Sequence, residues 1–290
     1  MARKFLSIKN ILPNSTEDDK RLVFIALTLV SMWGEPEGLA LLENLSIDRL
    51  KDSRSQAVIC EGLRYIVDND TEAVWQYLQG QEGDDRAVDV ILGDAGFELF
   101  ADIIYAAYLI EAGMASRVNI HPKDYPWFVT NATASDISEA FLFLSPGDEH
   151  GHRDALNELM PHLRHLFESK KICVVQHPFW TTAHRYEEMD SWAPELFDSL
   201  QSSSLVIFKG ELNYRKLTGD VAWHPSTDFK TSLGKLGRGS NLQILALGRN
   251  KADTCVGVGE NSLKVLEKKS PNGAWRTDGQ YGKVSFSDGL

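Results

Sequence analysis

From residue 87 onward, short apolar runs rich in β-branched residues alternate with longer amphipathic stretches, and this restricts the fold more than any other feature of the chain. The runs AVDVILGD (87–94), SRVNIHP (116–122), YPWFVTN (125–131), KICVVQH (171–177), SLVIFKG (204–210), LQILALG (242–248), DTCVGVG (253–259) and YGKVSFS (281–287) read as strands. Between them, residues 96–113, 136–142, 153–169 and 193–201 read as helices, with Gly113 placed to follow a helix C-terminus and Pro161 inside the third. Strands separated by helices run parallel and need both faces covered. The expected fold class is therefore α/β: a three-layer α/β/α sandwich with a parallel or mixed central sheet.

Before residue 87 the pattern is helical throughout, and no strand is expected there. The longest helix starts near Ser15, a plausible N-cap with Asp18 three residues on. Further helices are expected over 37–45, 55–69 and 71–79. Residues 1–86 are thus expected to form an N-terminal helical subdomain, and 87–290 the α/β domain.

The chain carries 30 basic and 41 acidic residues, a net charge of -11. A nucleic-acid partner calls for a basic face and an anionic membrane for basic clusters, so neither is expected. Three cysteines without a CxxC do not describe a disulfide framework, and Cys173 reads as a core thiol. No apolar run is long enough for a bilayer span, and the first residues do not resemble a signal peptide. The expected location is cytoplasmic and the expected partner a small-molecule substrate, with the oligomeric state open.

Strand-end turns place side chains at the carboxyl edge of such a sheet. In GDAGFE, Asp94 precedes a helix, where it can ligate a cation or cap the helix. His177 ends a strand and suits either acid–base work or a structural hydrogen bond. The pairs His150/His152 and His162/His165 lack a third ligand and are weak metal signals.

Five segments carry a resemblance: GDAGFELFADI (93–103), KDYPWFVTNAT (123–133), FKGELNYRKLTGD (208–220), SMWGEPEGLALL (31–42) and LALGRNKAD (245–253). They resemble the damage-control phosphatases, metal-dependent hydrolases of small phosphorylated metabolites, also described as protein-glutamate O-methyltransferases. The likeness runs from about residue 5 to 286. In that family the first turn reads Asp-Asn-x-Gly-Phe-Glu and the second segment Pro-Trp-Phe-Val-Ser-Asp, the Asp, Asn and final Asp being metal ligands. Ungapped, which leaves strand and helix lengths undisturbed, these positions hold Gly93, Asp94 and Asn131 here; a one-residue gap would instead let Asp94 stand for the family Asp. Asp94 and Asn131 are then the candidate metal residues, and a divalent Mn or Mg ion is expected to bind weakly, because hard cations are held by charge and oxygen count. Asn131 also suits a helix cap.

The resemblance further implies catalytic roles for Asp94, Lys216, His177 and Glu211. It implies substrate binding by Asn213, Arg215, Glu35, Lys251 and Asp253. Glu35 and Glu37 stand for a family Asn and Thr, and Gly248-Arg249 for Arg-Thr. Family members usually carry a further helical region before the Trp-Gly segment, so the helical cap is expected to be trimmed. Since the altered positions remain mostly polar, the expected function is another small-molecule transformation in the same pocket, by acid–base or electrostatic catalysis, fitting specialised metabolism. A metal-dependent phosphatase and a non-catalytic binding protein are the alternatives.

Overall fold

The computed structural model describes residues 1–34, 37–44, 52–143 and 154–290. Seven strands form one sheet in the order β1-β7-β6-β5-β2-β3-β4. They are β1 (Ile66–Asn69), β2 (Ala87–Ile91), β3 (Arg117–His121), β4 (Ile172–Val174), β5 (Leu205–Lys209), β6 (Ile244–Arg249) and β7 (Gly282–Ser287). Every neighbouring pair is parallel except β6 and β7, so the sheet is mixed.

Period-2 alternation splits the strand side chains between two cores. Val88, Val90, Leu205, Ile207, Leu245 and Leu247 face a cluster built with the N-terminal helices and the Phe97–Glu111 helix. Ile91, Val206, Phe208, Ile244 and Ala246 face a second cluster with Trp180, Tyr186, Leu196 and Tyr214. Helices thus cover both faces, and the fold is the α/β/α sandwich read from the sequence. Among the described residues no helix is long and apolar enough to cross a membrane.

The strand-free reading of residues 1–86 is corrected. The helix over Ser53–Leu63 stops early, and Ile66–Asn69 adds an edge strand parallel to β7. Four residues with no alternation of their own become a strand only because β7 offers a free ladder. Two expected strands are absent. Residues 125–131 form a turn, closed by the Asn131 N–H donating to Phe128 O at 2.9 Å. Residues 253–259 run irregularly, because β6 is already flanked by β5 and β7. There Cys255 and Val256 are buried, and Val256 N–H donates to the Tyr214 hydroxyl at 3.1 Å. The buried thiol is Cys255, whereas Cys173 is only half-buried.

The long N-terminal helix, Glu17–Trp33, begins one residue later than expected. Thr16 is its N-cap, accepting from Asp19 N–H at 3.2 Å, while the Asp19 carboxylate accepts from Thr16 N–H at 3.0 Å. Pro161 lies within the continuous helix Asp154–Glu168.

From β2 the chain adds β3 and β4 on one side, while β5, β6 and β7 lie on the other. The connections therefore part between β2 and β5, and a crevice opens beyond the carboxyl ends of those strands. Gly93 and Gly210 meet there: a Cβ built on Gly210 would lie 3.4 Å from the Gly93 Cα.

Candidate functional site

That crevice contains a cavity of about 260 Å³. Asp94, Asn131, Glu211, Asn213, Arg215 and Lys251, all singled out in the sequence, line it. Glu98, Lys123, Lys209 and Arg249 line it too and were not assigned a role.

Asp94 is not a helix cap, since the N-cap residue of Phe97–Glu111 is Gly96 at φ 71°. Its Oδ1 accepts from the Thr130 hydroxyl at 2.9 Å and from Asn131 Nδ2 at 3.3 Å. Nor does Asn131 cap the following helix, where Thr133 and Asp136 exchange hydrogen bonds. Asn131 Oδ1 instead accepts from Phe128 N–H at 2.8 Å. That backbone donor fixes the amide orientation, because the flipped amide would set two donors against each other. The NH₂ group must then face Asp94.

Glu98 fills the space left by the missing side chain at Gly93. A Cβ there would stand 2.5 Å from Glu98 Oε1 and 3.1 Å from Lys209 O. Burial raises the Glu98 carboxyl to about 7, against the opposing pull of Lys209. Lys209, the last residue of β5, donates to Ser31 O at 2.6 Å and pairs with Asp102 at 3.0 Å and Glu98 at 3.4 Å. Burial works against its charge, but Asp102 and Glu98 outweigh it, so Lys209 stays protonated.

Directly after β5 a helix starts at Gly210 and runs to Leu217, and it carries Glu211, Asn213, Arg215 and Lys216. Glu211 Oε2 lies 3.4 Å from Lys283 Nζ, while its buried Oε1 has no partner. Burial raises the Glu211 carboxyl, with Lys283 opposing. Arg215 is held in a two-pronged pair with Asp220, at 2.8 and 2.7 Å. Asn213 is fully used inside the fold. Its oxygen accepts from Lys123 Nζ at 2.7 Å and the Tyr186 hydroxyl at 2.6 Å, and its NH₂ reaches the carbonyls of Ile91, Leu92 and Lys209. Lys123 is fully buried, with no carboxylate partner among the described residues, and burial, then Lys216, lowers its ammonium to about 7.

Other sequence candidates lie elsewhere. Lys216 is not part of the cavity wall: it donates to Thr182 O at 2.8 Å and rests over the rings of Trp127, Phe179 and Tyr186. His177 is tied by Phe179 N–H at 3.1 Å and by Glu195 at 3.1 Å, which is the structural reading of that histidine. Asp253 is exposed away from the cavity lining. Glu35, His150 and His152 lie outside the described residues.

One of the missed residues had a legible signal. Lys209 is a lysine inside an otherwise apolar strand run, and such a charge needs buried partners. Lys123 and Glu98 gave no comparable sign, because only the fold brings them to the β2–β5 crevice.

The donor set does not fit a divalent metal at the family position. Asn131 presents a donor where a ligand oxygen is required, Gly93 offers no side chain, and Glu98 is committed beside the Lys209 ammonium. Among the described residues, no group of three or more His, Cys, Asp or Glu side chains is arranged to hold a metal ion.

Residues 4–264 match the damage-control phosphatase ARMT1-like domain. The chain is 33% identical to damage-control phosphatase ARMT1 of Danio rerio over 285 residues, covering 94% of this chain and 60% of that protein. It is 31% identical to the Xenopus tropicalis protein of that name, covering 97% of this chain and 62% of the relative. Against the Homo sapiens protein the identity is 30%, with 98% and 62% covered. The chain thus spans about three-fifths of the length of these relatives. It belongs to the damage-control phosphatase ARMT1-like family.

Proposed function

We propose that this family member transforms a small anionic metabolite in the 260 Å³ cavity using its own side chains, with a divalent metal bound weakly or not at all. The observation that carries the reading is the Asn131 amide, whose nitrogen donates to Asp94 at 3.3 Å where the family pattern has a ligand carboxylate. Five basic side chains (Lys123, Lys209, Arg215, Arg249 and Lys251) line the cavity against three carboxylates, Asp94, Glu98 and Glu211. Lys209 and Arg215 are committed to Asp102 and Asp220, so the case for an anion rests on Lys251 and the half-buried Arg249. Lys251 is exposed and, among the described residues, has no carboxylate partner, so its ammonium is available to the ligand. The partnerless Glu211 Oε1 is a ready acceptor for a substrate hydroxyl or proton. Donors held in place where water is excluded stabilise developing negative charge, each typically by a factor of about 10²–10³ in rate.

The test is hydrolysis of sugar phosphates by the wild type and Asn131→Asp, each with and without Mn²⁺, together with calorimetric Mn²⁺ titration. The wild type is expected to bind Mn²⁺ poorly and hydrolyse slowly, whereas Asn131→Asp gains affinity. Tight stoichiometric binding by the wild type, lost in Asp94→Ala and accompanied by rapid metal-dependent hydrolysis, would overturn the reading and support the phosphatase alternative. The carboxylate that Asp94 still brings to this turn favours that alternative.

A further inference from the structure

A second cavity of about 750 Å³ lies beside the polar one, and Arg249 lines both. The two open around the same pair of chain segments. At the end of the Glu17–Trp33 helix, Met32 lines the polar cavity and Trp33 the larger one. At the end of β6, Gly248 lines the polar cavity and Arg249 reaches both. Trp33, Leu41, Val58 and Tyr65 give the larger cavity an apolar and aromatic part, and Glu37, Glu61 and Asp278 line it as well.

Size divides the work between them. Pockets that enclose a whole organic ligand usually measure about 300–1,000 Å³. The polar cavity falls below that range and suits an anionic head group, while its neighbour falls inside it. Arg249 is anchored by Gly279 O at 3.0 Å, and its NH1 lies 2.9 Å from Glu37. The Glu37 side chain is 47% exposed, so a ligand anion can take its place on the guanidinium and leave it solvated.

We propose that the larger cavity is a second subsite of the same site, and that the natural ligand joins an anionic group, held in the polar cavity and on Arg249, to a flat apolar or aromatic group seated against Trp33 and Tyr65. The proposal rests on the anion-binding reading above.

Calorimetry with methylphosphonate and phenylphosphonate tests it, since the two share a head group and differ in the ring. The wild type should bind phenylphosphonate about tenfold or more tightly than methylphosphonate, as expected for burying a ring. Ala40→Trp, which fills the larger cavity from an exposed wall position outside the polar one, should abolish that gain and leave methylphosphonate binding unchanged. Equal binding of the two phosphonates, or a gain that survives Ala40→Trp, would overturn the second subsite alone. If neither phosphonate binds, the anion-binding reading falls and this inference falls with it.

Discussion

Arg249 and Glu37 are 212 residues apart in the chain, and their side chains meet at 2.9 Å. The resemblance sets each of them against a threonine of the family pattern, so two departures that look independent in the sequence meet in one ion pair. The pair joins the end of β6 to the first turn of the Glu37–Asn44 helix, at the border between the two cavities.

The pair is expected to matter little for stability. Arg249 and Glu37 are 21% and 47% exposed, which places their coupling at about 0.2–1 kcal/mol. A double-mutant cycle with Glu37→Gln and Arg249→Gln, read by urea melts, measures it. A coupling above about 2 kcal/mol would mean that the pair holds the helix in place instead of guarding a ligand site.

Gly93 tolerates no side chain while Glu98 keeps its present place. Gly93→Ala is expected to cost about 1–3 kcal/mol through overpacking. Part of that loss should disappear in Gly93→Ala/Glu98→Ala, because the nearest obstruction, Glu98 Oε1 at 2.5 Å, is then gone. Strictly additive losses in chemical denaturation would show that the Lys209 carbonyl, at 3.1 Å, is the real obstacle.

Asn213 is expected to act as a structural clamp. Asn213→Ala leaves Lys123 Nζ and three backbone carbonyls without this partner, at a cost of about 2–4 kcal/mol. The measurement is the urea midpoint. A variant that folds as stably as the wild type while losing ligand binding would return Asn213 to a direct substrate role.

Asp68 should impose a pH-dependent penalty. Burial, then the neighbouring Asp70, raises its carboxyl to about 7, while Ser285 and Lys283 oppose and Asp228 adds to the rise. The folded chain thus holds a proton that the unfolded chain releases near pH 4, and stability falls as pH rises between those values. Asp68→Asn removes the ionisation. Its stability relative to the wild type is expected to grow by on the order of 1 kcal/mol per pH unit from about pH 4 to 7 and then level off. A difference that stays constant across this range in denaturation series would contradict the assignment.

The sequence alone determined the layered α/β architecture, the Phe97–Glu111 helix and six of the seven strands, all but the edge strand Ile66–Asn69, because period-2 and helical patterns are local. It also marked Asp94, Asn131 and Glu211, whose strand-end turns carry their own punctuation. Tertiary structure decided the rest. Ile66–Asn69 is a strand because β7 pairs with it, and residues 253–259 are not one because β6 has no free edge. Lys216 went to an aromatic surround while its neighbour Arg215 reached the cavity, since the helix starting at Gly210 turns neighbouring side chains about 100° apart. The Asn131 amide faces Asp94 because a backbone N–H at Phe128 claims its oxygen. Spacing along the chain encodes which elements form; which charges share a cavity depends on contacts between distant segments, as with Glu37 and Arg249.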